Sequence, residues 1–64
     1  MWTVIYIAQS AKQAEWVKEK LTQEGFLAKI RAAHMAKQQY EILIPETELE
    51  EVKEVLHDIL HSSL

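Results

Sequence analysis

The chain has 64 residues and no cysteine, and its 10 acidic residues outnumber its 7 lysines and arginines, which gives a net charge of −3 at pH 7. This length predicts one small domain, and the missing cysteine excludes disulfides, thiolate metal sites and thiol nucleophiles. The negative charge argues against nucleic acid and anionic membranes as partners. No basic and apolar leader pattern is present and no apolar run reaches the length of a membrane span, so we expect a cytoplasmic protein without a membrane partner.

The first predicted element is a strand over residues 2–7, where β-branched and aromatic side chains dominate. Both of its faces are apolar. One face carries Trp2, Val4 and Tyr6, and the other carries Thr3, Ile5 and Ile7. Because indole and phenol groups have polar tips that suit an edge or an interface, we expect the first set outside and Ile5 and Ile7 inside. The reverse assignment is the alternative.

A helix is predicted to begin after Ser10, because Ser10 and Gln13 have the spacing of an N-terminal capping box. Gly25 provides the left-handed residue that ends such a helix. The buried stripe between these points is flanked by Trp16 and follows helical spacing. It consists of Ala14, Val17 and Leu21.

Two further strands are predicted over residues 26–31 and 39–45. In the first, Phe26, Ala28 and Ile30 alternate with Leu27, Lys29 and Arg31. In the second, Tyr40, Ile42 and Ile44 alternate with Glu41 and Leu43, which is the pattern of a central strand with one core face. The connecting residues 32–38 contain no Gly, Asn or Pro, so we expect a loop longer than a tight hairpin.

The last predicted element is an amphipathic helix with Thr47 at its N-cap and Glu50 completing a second capping box. Its predicted buried stripe is Leu49, Val52, Leu56 and Ile59. A right-handed crossover between the first two strands leaves a gap that the third strand fills antiparallel to both. The sequence therefore predicts an α+β, ferredoxin-like fold of order β-α-β-β-α, with sheet order 1-3-2, both helices on one face and the fourth strand missing.

Three segments carry a resemblance to a known family: residues 13–21, the Glu24-Gly25-Phe26 turn, and residues 40–52. Together with the first strand they resemble a small bacterial family of signal transducing proteins of unknown function, grouped with the PII-like ferredoxin folds. The resemblance implies a PII-like fold and a role in regulation or protein interaction. In PII proteins the loop between the second and third strands contacts partners, and residues 32–38 match that position. No nucleotide-binding motif of PII proteins can be placed on this chain.

The sheet side away from the helices is the main candidate for an interaction site. The side chains expected to form an exposed apolar patch there are Trp2, Val4, Tyr6, Leu27 and Leu43. The first strand is also expected to be an uncharged, unpaired edge, which invites strand addition. We therefore expect a homodimer formed through the first strand or the open side of the sheet. A monomer whose Trp2 and Tyr6 fold over the sheet and a complex with another protein are the alternatives.

A second candidate site is basic and would bind an anion or an acidic partner. It consists of Lys29, Arg31, His34 and Lys37. It supports an alternative function as a small-molecule or anion sensor, against the simpler interpretation of solvated strand and loop charges.

His57 and His61 lie one helical turn apart and resemble part of a zinc-binding helix. A catalytic zinc site needs a third ligand and an open position, so we expect solvated histidines near a helix C-terminus and no metal. No serine or carboxylate pair has the spacing of a catalytic group. The sequence therefore predicts neither an enzyme nor a cofactor.

Overall fold

The computed structural model describes residues 1–33 and 39–62, without the side chain of Ser62. The elements are β1 (Trp2–Ala8), α1 (Ala11–Gln23), β2 (Lys29–Ala32), β3 (Tyr40–Pro45), a 3₁₀ turn (Glu46–Glu48) and α2 (Leu49–Ser62). The three strands form one open antiparallel sheet in the order β1-β3-β2. Because side chains of both helices join one core cluster with β3, the helices cover the same side of the sheet. The predicted ferredoxin-like α+β fold is confirmed.

The core forms between the helices and β3, as the alternation in that strand predicts. Ile42 and Ile44 are fully buried, and Ile42 is paired with Tyr6 on one side and Ile30 on the other. Burial of such side chains supplies most of the free energy that holds the sheet against the helices. The predicted α1 stripe is also fully buried: Ala14, Val17 and Leu21.

The start of α1 is held by the predicted cap. The Ser10 hydroxyl oxygen accepts a hydrogen bond from the Gln13 backbone N–H at 3.1 Å. The Gln13 side-chain oxygen accepts from the backbone N–H of Gln9 at 2.9 Å, one residue before the expected partner. Two backbone N–H groups that have no acceptor within the helix are therefore hydrogen-bonded to side chains. The helix begins at Ala11.

Helix α1 is terminated at Gly25, which has a left-handed backbone conformation with a φ of +93°. The Gly25 N–H donates to the Thr22 carbonyl, and the Phe26 N–H donates to the Leu21 carbonyl, both at 3.0 Å. This pair of bonds closes a helix on a left-handed residue. It also ties Phe26 to the helix end, so β2 begins at Lys29 and the prediction of a strand from residue 26 is wrong at its start.

Replacing Gly25 with alanine should lower the free energy of unfolding by about 1 to 2 kcal/mol, because a Cβ disfavours the left-handed backbone. A Cβ at this position would meet no atom within 4 Å, so crowding adds nothing to that cost. Urea denaturation would measure the loss. Gly25→Asn is the matched control and should lose less, because asparagine tolerates this conformation; equal losses in both variants would contradict the explanation.

The second helical segment begins earlier than predicted. A 3₁₀ turn starts at Glu46 with Pro45 in the N-cap position, and no side chain caps it. Thr47 therefore lies inside a helical turn, and its prediction as the N-cap is wrong. Of the predicted α2 stripe, Val52 and Ile59 are buried, whereas Leu49 and Leu56 are only half-buried. Within the described ranges, no helix has both the length and the apolar character needed to cross a membrane.

Candidate functional site

The sheet side that faces away from the helices is called the open face. Its side chains include Trp2, Val4, Ile7, Leu27, Lys29, Arg31, Glu41, Leu43 and Pro45. The strand register places Leu43 between Val4 and Lys29. It places Glu41 between Ile7 and Arg31. Leu27 precedes β2 and has no partner in the strand register; we assign it to this face because its neighbours Phe26 and Ala28 both pack against the core.

A β-bulge in β1 decides which of its residues reach the open face. Val4 pairs with Leu43 and Tyr6 pairs with Ile42, so Ile5 is an extra residue without a partner in the register. An extra residue reverses the alternation of the strand beyond it. Trp2 and Val4 therefore lie on the open face as predicted, whereas Ile5 and Tyr6 both pack against the core.

The bulge corrects two assignments made from simple alternation. Tyr6 was expected on the open face, but it packs on the helix side, where its hydroxyl accepts a long hydrogen bond of 3.4 Å from the Gln13 amide. Ile7 was expected inside, but it pairs with Glu41 and is 37% exposed. The reverse assignment of the strand is right for Ile7 but wrong for Thr3 and Ile5, because Thr3 pairs with the fully buried Ile44 and Ile5 packs against the core.

Large apolar side chains are exposed together on the open face. Leu27 is 65% exposed, and the β1 residues Trp2 and Val4 are 40% and 39% exposed. With Ile7 they account for four of the five exposed large hydrophobic residues in the described part of the chain, the fifth being Met1. Monomer surfaces seldom group apolar side chains in this way without a binding role.

Leu43 lies at the centre of the open face but is only 5% exposed, so its prediction as an exposed member of the patch is wrong. The ammonium of Lys29 lies 4.2 Å from the centre of the Trp2 ring. This cation–π contact connects β2 to β1 across the central strand β3. The long side chains of Lys29 and Trp2 thereby extend over β3 and cover Leu43, which is paired with Lys29. The open face is therefore partly covered by its own side chains.

Arg31 and Glu41 form an ion pair at the other end of the open face. The Arg31 Nε and a terminal guanidinium nitrogen lie 2.8 and 2.7 Å from the same Glu41 oxygen. The Arg31 side chain is 59% exposed and that of Glu41 is 24% exposed, so the pair lies at the rim of the face. An exposed pair of this kind contributes about 0 to 1 kcal/mol, but it orients both side chains.

The predicted basic site is only partly described. Lys29 and Arg31 share the open face, whereas His34 and Lys37 lie outside the described residues. Both described members already contact partners within the chain, Trp2 and Glu41 respectively. An anion that binds Lys29 or Arg31 would have to compete with these contacts.

The free edge of β1 borders a cleft of about 300 Å³ beneath α2. Its walls are residues 3–5 of the strand and, on the helix, Leu49, Val52, Lys53 and Leu56. An apolar cleft beside an unpaired strand is a possible site for strand addition. The bulge at Ile5 interrupts regular hydrogen bonding along this strand, which makes the edge a poorer template than an unbroken strand.

His57 and His61 lie side by side on α2, with ring centres 4.0 Å apart and ring planes tilted by 40°. Both are exposed. Within residues 1–33 and 39–62, no group of three or more His, Cys, Asp or Glu side chains could hold a metal ion. The hydroxyl of Ser10 is engaged in the helix cap and is not a nucleophile candidate.

No protein-family model, curated protein or solved structure matches the chain. The resemblance to the bacterial signal transducing family therefore stays a prediction that rests on the segments quoted above. The structural observation that bears most directly on function is the grouping of exposed apolar side chains on the open face.

The favoured prediction placed Ile7 inside, and only the reverse assignment of the strand placed it on the open face, where it lies. Residues 2–8 contain no charged residue, and the polar Thr3 pairs with the fully buried Ile44, so no side chain of this strand marks which face is outside. β3 carries such a marker in Glu41, and there the alternation predicts the faces correctly. An apolar strand without a polar marker can contain a bulge that its pattern does not reveal.

Proposed function

We propose that this chain is a small regulatory or protein-interaction module that forms a homodimer by packing its open face against the open face of a second copy. The observation that carries the proposal is the exposure of Trp2, Val4, Ile7 and Leu27 on that one surface. A two-fold dimer buries the same patch on both copies, so each apolar side chain is removed from water twice.

The open face is a small surface. Its three strands are four to seven residues long and lie about 4.8 Å apart. A standard protein interface buries about 800 Å² on each partner. We therefore expect a dimer formed through this face alone to be at the weak, transient end of the range.

The small core gives self-association a physical advantage. A 64-residue domain buries only about 60% of the surface that its unfolded chain exposes, which leaves little stability from packing within one copy. A second copy adds apolar burial without lengthening the chain. Binding that requires the folded state also shifts the folding equilibrium towards it.

The open face is favoured over the β1 edge as the dimer contact for two reasons. The bulge disturbs the edge, as described above. The open face also carries an Arg31–Glu41 pair at one end, where charges of both signs suit the polar border of an interface. The regulatory part of the proposal is supported by the resemblance to the signal transducing family.

Association of the full chain tests the proposal. Sedimentation velocity and native mass spectrometry from about 1 to about 500 µM should show a shift from 7.5 kDa to twice that mass, within the range of affinities that interfaces of this size span. A mass of 7.5 kDa at every concentration would reject the homodimer. Phosphate added to the same samples should leave sedimentation unchanged; a phosphate-dependent shift would instead favour the anion sensor that involves Lys29 and Arg31.

A further inference from the structure

The last turns of α2 place two imidazole rings next to each other in solvent. His57 and His61 are separated by four residues, which puts them on the same face of the helix one turn apart. Their ring centres are 4.0 Å apart. The helical spacing allows this proximity, and in the structure the two rings adopt it.

We propose that His57 and His61 form a two-imidazole binding site for a divalent transition-metal ion. Imidazole nitrogen suits copper, nickel and zinc, and among these Cu²⁺ binds nitrogen ligands most tightly. The site would take Cu²⁺ in preference to Ni²⁺ and Zn²⁺. It would not take Mg²⁺ or Ca²⁺, which prefer oxygen ligands.

The geometry accommodates the ion after a small side-chain movement. A metal about 2.0 to 2.1 Å from one nitrogen of each ring separates the ring centres by about 5 Å. From their observed spacing of 4.0 Å and tilt of 40°, the rings have to move apart by about 1 Å and turn so that one nitrogen of each faces the ion. Both side chains are exposed, so rotation about their side-chain bonds meets no packed core.

The electrostatic environment favours a cation at this position. Between residues 49 and 62 the helix carries Glu50, Glu51, Glu54 and Asp58 against Lys53 alone. The C-terminal end of a helix carries the negative end of its dipole, which attracts positive charge. Both features attract a cation to the site, but neither provides an additional ligand.

The metal ion at this site would exchange with solvent and would not be required for folding. The described residues contain no third His, Cys, Asp or Glu ligand for it, so water completes the coordination of the ion. A chelate that joins positions 57 and 61 links two successive helical turns and should slow their opening. The helices lie on the side of the sheet opposite the open face, so the test of the metal site and the test of the proposed dimer can be negative independently of each other.

Titration of the full chain with CuCl₂, NiCl₂ and ZnCl₂ by calorimetry tests the proposal, together with electron paramagnetic resonance of the Cu²⁺ complex. We expect one Cu²⁺ per chain with two imidazole nitrogens in the spectrum, and weaker Ni²⁺ and Zn²⁺ binding. His61→Ala should weaken Cu²⁺ binding about tenfold or more, because one of the two ligands is lost. Metal should also slow amide hydrogen exchange at residues 57–61 in the unmodified chain and not in His61→Ala.

The third histidine offers the matched control. His34→Ala should leave Cu²⁺ affinity within about twofold, because His34 is not part of the proposed site. Exposed helical positions tolerate alanine, and circular dichroism of each variant checks that the fold is retained. Unchanged Cu²⁺ affinity in the double variant His57→Ala/His61→Ala, or an equal loss in His34→Ala, would overturn the assignment.

Discussion

Replacing Ile42 with alanine is expected to remove most of the free energy of unfolding at 25 °C. Ile42 is fully buried at the centre of the sheet beneath both helices. Truncating a buried isoleucine to alanine costs about 2 to 5 kcal/mol, and a domain of this size has a total stability of about 3 to 5 kcal/mol. Urea denaturation followed by circular dichroism at low protein concentration should show the midpoint falling close to zero denaturant.

The matched control is the same truncation on the other side of the sheet. Ile7→Ala removes the same atoms from a side chain that is 37% exposed, so it should cost about 1 kcal/mol. Its urea midpoint should stay near that of the unmodified protein. Equal losses in Ile42→Ala and Ile7→Ala would mean that the core is not where the structure places it.

Introducing a charge at Leu27 is expected to have the largest effect on self-association. Leu27 is 65% exposed, so Leu27→Lys should change the free energy of unfolding of a single copy by no more than about 0.5 kcal/mol. In a dimer formed through the open face, the lysine would be buried against apolar side chains or would exclude them. We expect the dissociation constant to rise about tenfold or more, measured by sedimentation velocity.

Gln23→Lys controls for the added charge, because Gln23 is an exposed residue near the end of α1, on the side of the sheet opposite the open face. It should leave the dissociation constant within about twofold, since a charge outside an interface acts only through screened, long-range repulsion. If neither variant changes association, the dimer contact lies elsewhere, and the β1 edge becomes the candidate. If both weaken it equally, net charge and not the open face controls association.

Local signals in the sequence predicted most of the fold correctly. The Ser10 cap and the Gly25 turn each depend on one residue type at one position, and both are present as expected. The central position of β3 follows from its alternation, because only one of its faces must be buried against the helices. The N-cap of the last helix was predicted wrongly at Thr47, because Pro45 already begins a helical turn there.

The candidate site was only partly predictable, and the reason is the same for each error. Whether Tyr6 or Ile7 reaches the open face depends on a bulge, and a bulge depends on how two strands fit together. Whether Leu43 is exposed depends on the contact between Trp2 and Lys29, which lie on different strands. These contacts join residues that are far apart in the chain, so no local pattern contains them.

The sequence by itself therefore determined the order of the elements, the ends of α1 and the strand that lies at the centre. These features follow from backbone hydrogen bonding and periodic burial within a few neighbouring residues. The tertiary structure alone decided the phase of β1 and the covering of Leu43. The physical reason is that side-chain exposure is set by contacts across strands and turns, whereas capping and periodicity act along the chain.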